Sequence, residues 1–322
     1  MTAYYTGMIQ CDYLIDKYGI YAGIAFVREY VLINKGSQVS VHRIVQEEQR
    51  KMGEKPYLQV GYEFPEWDVR RTAEDQAERL RSSDVDPALY GEYQETAMSG
   101  LDCFRTMNLA GMPIDGYVHI EQRFRQHDRI RLGETLTVKG RVEAVGEHPR
   151  GTRVHHVYDF TRKDGTIPLT SEVFGLLPDA EKNVDPGKRP AGEDVLKDET
   201  AGLVCLEKKT LTPSKVISFS RDVGNEIHFD PAFAARYGFR APLAQGLMSA
   251  VWMMGALVRK GVPAKLDVFI RFMRPVFWDD IQFLWARQAG EMNGTYDLVR
   301  SIGPHGKVSA EMIVESVAYP GI

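Results

Sequence analysis

One short stretch of the sequence concentrates residues that can move protons. It runs NEIHFDP from Asn225 to Pro231, and Asp222 stands just before it. The imidazole of His228 can exchange a proton near neutral pH, and a carboxylate beside it could serve as its partner. The apolar run 242–258 follows, and the first N–H groups of a helix there would favour a negative charge. These residue types could support acid–base chemistry.

The elements that must position these residues follow from the C-terminal part of the chain. Thr212 and Pro213 are typical of a helix start, and Pro231 opens a short helix that Gly238 ends. The run 242–258 is apolar on all sides, which predicts a helix buried on all sides. The predicted strands are 208–211, 265–275, 280–288 with a continuation to 299, and 307–319. A buried helix wrapped by an antiparallel sheet is an α+β architecture.

The N-terminal part repeats this order of elements. Its predicted strand, helix, buried helix and four further strands are 57–64, 72–81, 90–109, 117–126, 135–145, 153–161 and 168–177. Two local echoes support the repeat: Arg123-Phe124 against Arg271-Phe272, and Gly-Met-Pro at 111–113 against Gly-Val-Pro at 261–263. The chain therefore looks like a tandem repeat of one domain.

The stretch from Phe219 to Ser249 resembles the signature of the MaoC-like family of (R)-specific enoyl-CoA hydratases, also called hydratase 2. That signature reads roughly Ser-Gly-Asp-x-Asn-Pro-Ile-His-x-Asp-Pro, then Ala, Gly-Phe and Pro-Ile-x-His-Gly. The run 225–231 matches its middle closely, and 271–276 resembles the family's Phe-x-Arg-Pro-Val strand. Over so many fixed positions the likeness is more specific than a single motif.

The resemblance implies a double hotdog fold, in which a long buried helix is wrapped by an antiparallel sheet in each of two tandem domains. We predict an N-terminal extension without an assigned role (1–55), a degenerate hotdog domain (56–178), a charged linker (179–202) and a C-terminal hotdog domain that carries the site (203–322). The linker is proposed because 179–202 is rich in charge and proline and lacks apolar periodicity.

The resemblance also implies catalytic roles. His228 takes the role of the family's histidine, and the amide of Gly246 takes that of the thioester-oxygen ligand. The family's aspartate, however, is displaced, because Val223 stands five residues before His228. Asp222, Asn225 and Glu226 all stay open as its partner, although an asparagine cannot act as a general base.

A second group of residues is expected to bind substrate. Gln245 stands where the family usually has histidine, and Leu247 follows Gly246 at the helix start. Arg271 and Arg274 could contact phosphates of coenzyme A or an acyl carrier, although exposed strand charges are an equal alternative. Trp252 is most simply a core residue and could also line an acyl tunnel.

The function that the resemblance implies is a hydro-lyase, a hydratase or dehydratase of fatty acid metabolism. It would act on enoyl or (R)-3-hydroxyacyl thioesters of coenzyme A or an acyl carrier, with a bulky or long acyl group. Two alternatives stay open: a hotdog acyl-thioesterase, and a non-catalytic acyl-thioester-binding protein, which the displaced aspartate favours. Fold alone does not choose between them.

Composition argues against several other classes of function. The 322 residues carry a net charge of −4 with 43% hydrophobic residues, which favours a soluble protein that binds neither nucleic acid nor membrane. Three scattered cysteines and no ligand-like spacing predict a cytoplasmic protein without a metal or other cofactor. The basic residues at 123–131 and the pair His155-His156 are expected at the surface. The sequence leaves association into a homodimer open.

Overall fold

The predicted strands join into a single antiparallel sheet. The structure, a computed structural model, describes residues 55–112, 114, 116–179, 198–221, 224–290 and 295–321. Its strands are β1 (Trp67–Arg70), β2 (Val118–Gln126), β3 (Thr135–His148), β4 (Gly151–Thr161), β5 (Leu169–Pro178), β6 (Val204–Thr210), β7 (Lys265–Phe272), β8 (Ile281–Gln288), β9 (Tyr296–Ile302) and β10 (Val308–Ala318). They lie in the order β1-β3-β4-β5-β2-β7-β10-β9-β8-β6.

This sheet consists of two halves with the same internal order, which meet where β2 pairs with β7. Glu121 lies opposite Arg271, and Arg123 lies opposite Phe269. The echo of Arg-Phe at 123–124 and 271–272 therefore marks equivalent positions on the two central strands. The predicted α+β architecture of two repeats is confirmed.

Within the described residues, five helices complete the two halves: α1 (Ala73–Ser82), α2 (Ser99–Leu109), α3 (Pro213–Ser220), α4 (Pro231–Arg236) and α5 (Gly246–Val258). Each half wraps one of the long helices, α2 or α5, with its strands. Every residue of α5 after Gly246 is buried, as the uniformly apolar sequence predicts. The helix begins later than the apolar run, because Leu243 pairs with Phe277 in an extended bridge.

Local hydrogen bonds explain two of the helix starts. Thr212 accepts a hydrogen bond from the N–H of Lys215, and Asp230 accepts one from the N–H of Ala232 at 2.7 Å. Each oxygen satisfies an N–H that has no partner within its helix. Asp230 is thus engaged in a structural role, as its Asp-Pro context predicts.

Two expectations in the N-terminal half are wrong in detail. The run 57–64 is not a strand: it forms a 3-10 turn, Pro56–Leu58, and then turns at Gly61, whose φ of +84° is left-handed. The buried helix does not start at residue 90 either. Gly91 interrupts the chain with a φ of +55°, and two 3-10 turns, Pro87–Tyr90 and Thr96–Met98, precede α2.

The expectation that both His155 and His156 lie at the surface is also wrong. Successive residues of a strand point to opposite faces, so one of the pair must point inward. His156 lies on the inner face of β4 and is fully buried, whereas the imidazole of His155 stacks on Phe174.

The described residues from Pro56 onward form one compact unit. Most of the proposed linker and nearly all of the N-terminal extension lie outside the described residues, so the predicted domain boundaries stay predictions. No helix in the described ranges is long and apolar enough to cross a membrane.

Candidate active site

The segment that carries His228 is a single 3-10 turn, Glu226–His228, held by the asparagine before it. The side-chain oxygen of Asn225 accepts a hydrogen bond from the N–H of Ile227 at 3.1 Å. Its amide nitrogen donates a long hydrogen bond of 3.5 Å to the carbonyl of Ile114 in the other half. Asn225 is buried and both ends of its amide are engaged, so it shapes the turn.

The ring of His228 is fixed by one hydrogen bond. Its Nδ1 lies 2.8 Å from the carbonyl oxygen of Leu243. Because a carbonyl can only accept, Nδ1 must carry the hydrogen, which leaves the lone pair on Nε2. Burial lowers the pKa of His228 to about 4, although the Leu243 carbonyl opposes that shift. The imidazole is therefore neutral at pH 7 and ready to accept a proton.

Backbone hydrogen bonds hold this turn against the start of α5. The N–H of Leu243 donates to the carbonyl of Ile227 at 3.0 Å, and the N–H of Ala244 donates to that of Val276 at 2.8 Å. The extended residues before the helix are thus bound on both sides. These hydrogen bonds place the turn that carries His228 beside the residues that lead into Gly246.

The start of α5 is left without a side-chain cap. Gln245 occupies the capping position, yet it makes no capping hydrogen bond, and its buried Nε2 has no partner within the described part of the chain. A Cβ at Gly246 would lie 2.9 Å from the ring of Phe272. Only glycine allows this close packing, and the free helix start favours a negative charge.

The equivalent helix start in the N-terminal half is occupied by the protein itself. In sequence, Glu95 precedes the Gly-x-Pro motif of its half by the same distance as Gln245 precedes the motif of the other half. The carboxylate of Glu95 accepts hydrogen bonds from the N–H groups of Ala97 and Met98 at 2.9 and 2.7 Å. The cavity beside it measures about 10 Å³, at the lower limit for one water molecule. The N-terminal half therefore cannot offer these amides to a substrate.

We expect the stability of Glu95→Gln relative to the parent to rise as pH rises. Burial raises the pKa of Glu95 to about 7, so the folded protein binds the proton more tightly than the unfolded chain. The parent then loses stability as pH rises from about 4.5 to about 7, while the glutamine does not titrate. The difference in unfolding free energy should change by about 3 kcal/mol between pH 4 and pH 8. Denaturant melts at both pH values measure it, and a constant difference would contradict it.

Two predicted substrate-binding residues on α5 lie in packed surroundings. The side chain of Leu247 lies against Gly100, where a Cβ would come within 2.5 Å of it. Trp252 is buried, and its indole N–H donates to Glu207 at 2.8 Å. These contacts place Trp252 in the core, and a role in substrate binding stays a prediction for both.

Both predicted arginines are exposed and hydrogen-bonded within the protein. Arg271 donates to Glu311 at 3.1 Å, and Arg274 donates to the carbonyl of Val308. Whether either also binds phosphate stays a prediction.

The carboxylate partner of His228 stays open. Asp222 lies outside the described residues. Glu226 is exposed, and Asp230 is engaged at the start of α4. In the described ranges, no group of three or more His, Cys, Asp and Glu side chains is arranged to hold a metal ion.

The sequence analysis missed Glu95, because glutamate is not among the usual capping residues. Aligning the two Gly-x-Pro motifs in the sequence would have placed Glu95 at the position equivalent to Gln245.

Known proteins share sequence or fold with parts of this chain. No family model matches the chain. It is 24% identical to 3-hydroxyacyl-thioester dehydratase X of Mycobacterium tuberculosis over 185 residues, which are 57% of this chain and 62% of that protein. The match thus spans less than two thirds of the relative's length.

Two solved structures resemble the chain in fold. One, described as a MaoC-like dehydratase, has a TM-score of 0.63 and 16% identity over 82% of this chain and 99% of that one. The other, a Mycobacterium tuberculosis protein described as having a double hotdog fold, has a TM-score of 0.53 and 13% identity over 80% and 96% of the two chains. With two buried helices wrapped by one continuous sheet, and with the fold shared in this way, the chain has a double hotdog fold.

Proposed function

We propose that the C-terminal half is a hydro-lyase site that hydrates enoyl thioesters or dehydrates the matching 3-hydroxyacyl thioesters. The observation that carries this proposal is the pairing of a neutral His228, its lone pair on Nε2, with the uncapped start of α5. The similarity to a protein named 3-hydroxyacyl-thioester dehydratase supports it. The thioester handle would be coenzyme A or an acyl carrier, and no cofactor enters the chemistry.

In the hydration direction, Nε2 of His228 accepts a proton from water while the water oxygen bonds to C3 of the enoyl group. The electron pair of the double bond moves toward the thioester oxygen, which becomes an enolate. The N–H groups at the start of α5 stabilise that negative charge. The enolate then returns its electrons, and C2 receives a proton from the imidazolium or from a carboxylic acid beside it. Dehydration follows the same steps in reverse.

The described surroundings of His228 favour an imidazole base over a carboxylate base. A thioesterase of this fold would use a carboxylate to activate water at the carbonyl; Glu226 or Asp222 could serve, and Asp222 lies outside the described residues. Glu226 is exposed, and Asp230 is engaged at a helix start. The neutral imidazole is thus the one base for which the described residues supply a defined orientation at this turn.

The proposal is tested with the full-length protein and a panel of trans-2-enoyl-CoA esters of short, long and branched chains. Loss of the conjugated thioester absorbance without release of free thiol is the expected result. Release of thiol would replace the proposal by a thioesterase. No reaction with any ester would leave the binding-protein alternative in its place.

The pH dependence of kcat/KM should report the buried state of His228. Since burial lowers the pKa of His228 to about 4, the neutral base persists well below pH 6.5. We expect kcat/KM to stay level from pH 7 down to pH 5 and to fall only near pH 4. A fall centred near pH 6.5, as for an exposed imidazole, would contradict this environment. The stability of the enzyme over the same range, measured by thermal melts, separates loss of catalysis from unfolding.

A further inference from the structure

The inner face of the N-terminal half carries buried polar groups that the proposed chemistry does not use. Four of the side chains whose buried polar atoms have no hydrogen-bond partner within the described part of the chain lie close together here: Tyr117 and Tyr158 with their hydroxyls, His156 with both ring nitrogens, and His119 with Nε2. Each such atom costs about 1–3 kcal/mol if nothing satisfies it. A group of them on one face needs an explanation.

The pairing of the strands brings these side chains together. His119 lies opposite Gly175, His156 lies opposite Val173, and Tyr158 lies opposite Ser171. These partners follow one another at every second residue along β5, so their neighbours share its inner face. The ring of Tyr117 lies over Gly175, where a Cβ would come within 1.9 Å of it. The four polar side chains thus form one continuous strip, here called the polar strip.

The polar strip leads directly from the candidate active site. The ring of Phe272, which packs on Gly246, lies 4.5 Å from the ring of His119. The ring centres of Tyr117 and His156 lie 6.5 Å apart in a stacked arrangement. The ring centres of His156 and Tyr158 lie 6.2 Å apart, edge to face. A chain attached to a thioester at Gly246 that passed the ring of Phe272 would reach His119 first.

On the corresponding face of the C-terminal half, the buried hydroxyl of Ser301 donates to Gln282 at 3.1 Å, and other positions on that face are apolar. Val268, Ile270, Ala286 and Val299 are fully buried on the strands that wrap α5. Tyrosine and histidine in the N-terminal half are thus a specific feature of that half.

The polar strip is suited to an uncharged ligand group. Burial lowers the pKa values of His119 and His156 to about 3 and raises those of Tyr117 and Tyr158, so all four are neutral at pH 7. A charged group beside them would pay a large desolvation cost without an ion partner. A hydroxyl or ketone oxygen can instead accept from tyrosine and exchange hydrogen bonds with a neutral imidazole.

We propose that the polar strip of Tyr117, His119, His156 and Tyr158 binds an uncharged oxygen function on the acyl chain, a hydroxyl or a ketone, so that the enzyme prefers oxygenated over plain acyl thioesters. This inference rests on the proposed function, since it places the thioester at Gly246. It names the substrate class of that site.

The test measures binding of saturated thioesters, which cannot be hydrated. The ligands are octanoyl-CoA and dodecanoyl-CoA, each beside its ω-hydroxylated form, and the method is isothermal titration with the full-length protein. We expect the hydroxylated ester of at least one length to bind about tenfold more tightly, the value of one net hydrogen bond of 1.4 kcal/mol. Tyr158→Phe should abolish that preference and leave the plain ester unchanged.

Tyr90→Phe is the matched control, because Tyr90 also has a buried hydroxyl without a partner in the described ranges and is not part of the polar strip. It should keep the preference. Should Tyr158→Phe fail to fold, Tyr117→Phe removes the neighbouring hydroxyl instead. Equal binding of plain and hydroxylated esters at both lengths would overturn the inference, as would a preference that survives both variants.

The proposed function fails on different evidence. Absence of turnover with every enoyl ester would end that proposal and leave the binding ratios interpretable. Intact turnover with equal binding would end the polar-strip inference alone.

Discussion

His228→Gln should lower kcat/KM for hydration of trans-2-enoyl-CoA about a thousandfold, within the range seen for loss of a general base. Glutamine can still donate a hydrogen bond toward the carbonyl of Leu243, so the turn should keep its shape. It has no lone pair basic enough to accept a proton from water. Initial rates with the parent and the variant measure the effect.

His127→Gln is the control for this experiment, because His127 is exposed and lies outside the site. It should retain full activity. If His228→Gln kept more than about a tenth of the activity, His228 would not be the base, since even modest general bases contribute about a hundredfold.

Gln245→Glu should reduce kcat about a hundredfold to a thousandfold while the protein stays folded. The substitution places a carboxylate at the start of α5, where Glu95 shows that one can accept hydrogen bonds from the helix amides. The carboxylate would then occupy the amides that the enolate needs, and it would repel the developing charge. Loss of one such donor typically costs this much.

Gln245→Met removes the amide without adding a charge and serves as the matched control. We expect it to lower kcat by less than about tenfold, because the helix amides stay free. Thermal melts of both variants check the fold. A fully active Gln245→Glu enzyme would show that the start of α5 does not bind the thioester oxygen.

The prediction for Gln245→Glu rests on a difference between the two halves of the protein. The halves share their strand order, their wrapped helix and the register of their central strands. They differ at the helix start, which Glu95 closes in one half and Gln245 leaves open in the other. This difference leaves the helix amides of one half free to meet a ligand, while those of the other half are occupied.

Most of the architecture was predictable from local pattern. The uniformly apolar residues of α5, the helix-starting pair Thr212-Pro213 and the repeated Arg-Phe and Gly-x-Pro echoes each have a direct local cause. They were enough to predict a repeat of helix and wrapping strands, and the family signature around His228 located the candidate site.

What escaped prediction depends on contacts between distant parts of the chain. Gly61 and Gly91 adopt left-handed conformations that interrupt a predicted strand and a predicted helix. The burial of His156 follows from which face of β4 the sheet turns inward, and a dipeptide of two histidines does not encode that choice. The capping role of Asn225 likewise became visible only with its partner Ile227.

The central claim is that water adds to C3 of an enoyl thioester, and the most direct measurement follows the oxygen atom of that water. The full-length enzyme is incubated with a trans-2-enoyl-CoA ester in heavy-oxygen water, and the products are analysed by mass spectrometry. The account predicts one heavy oxygen on C3 of a 3-hydroxyacyl-CoA whose thioester is intact. Heavy oxygen in a free carboxylic acid, or an unlabelled enoyl ester after prolonged incubation, would contradict it.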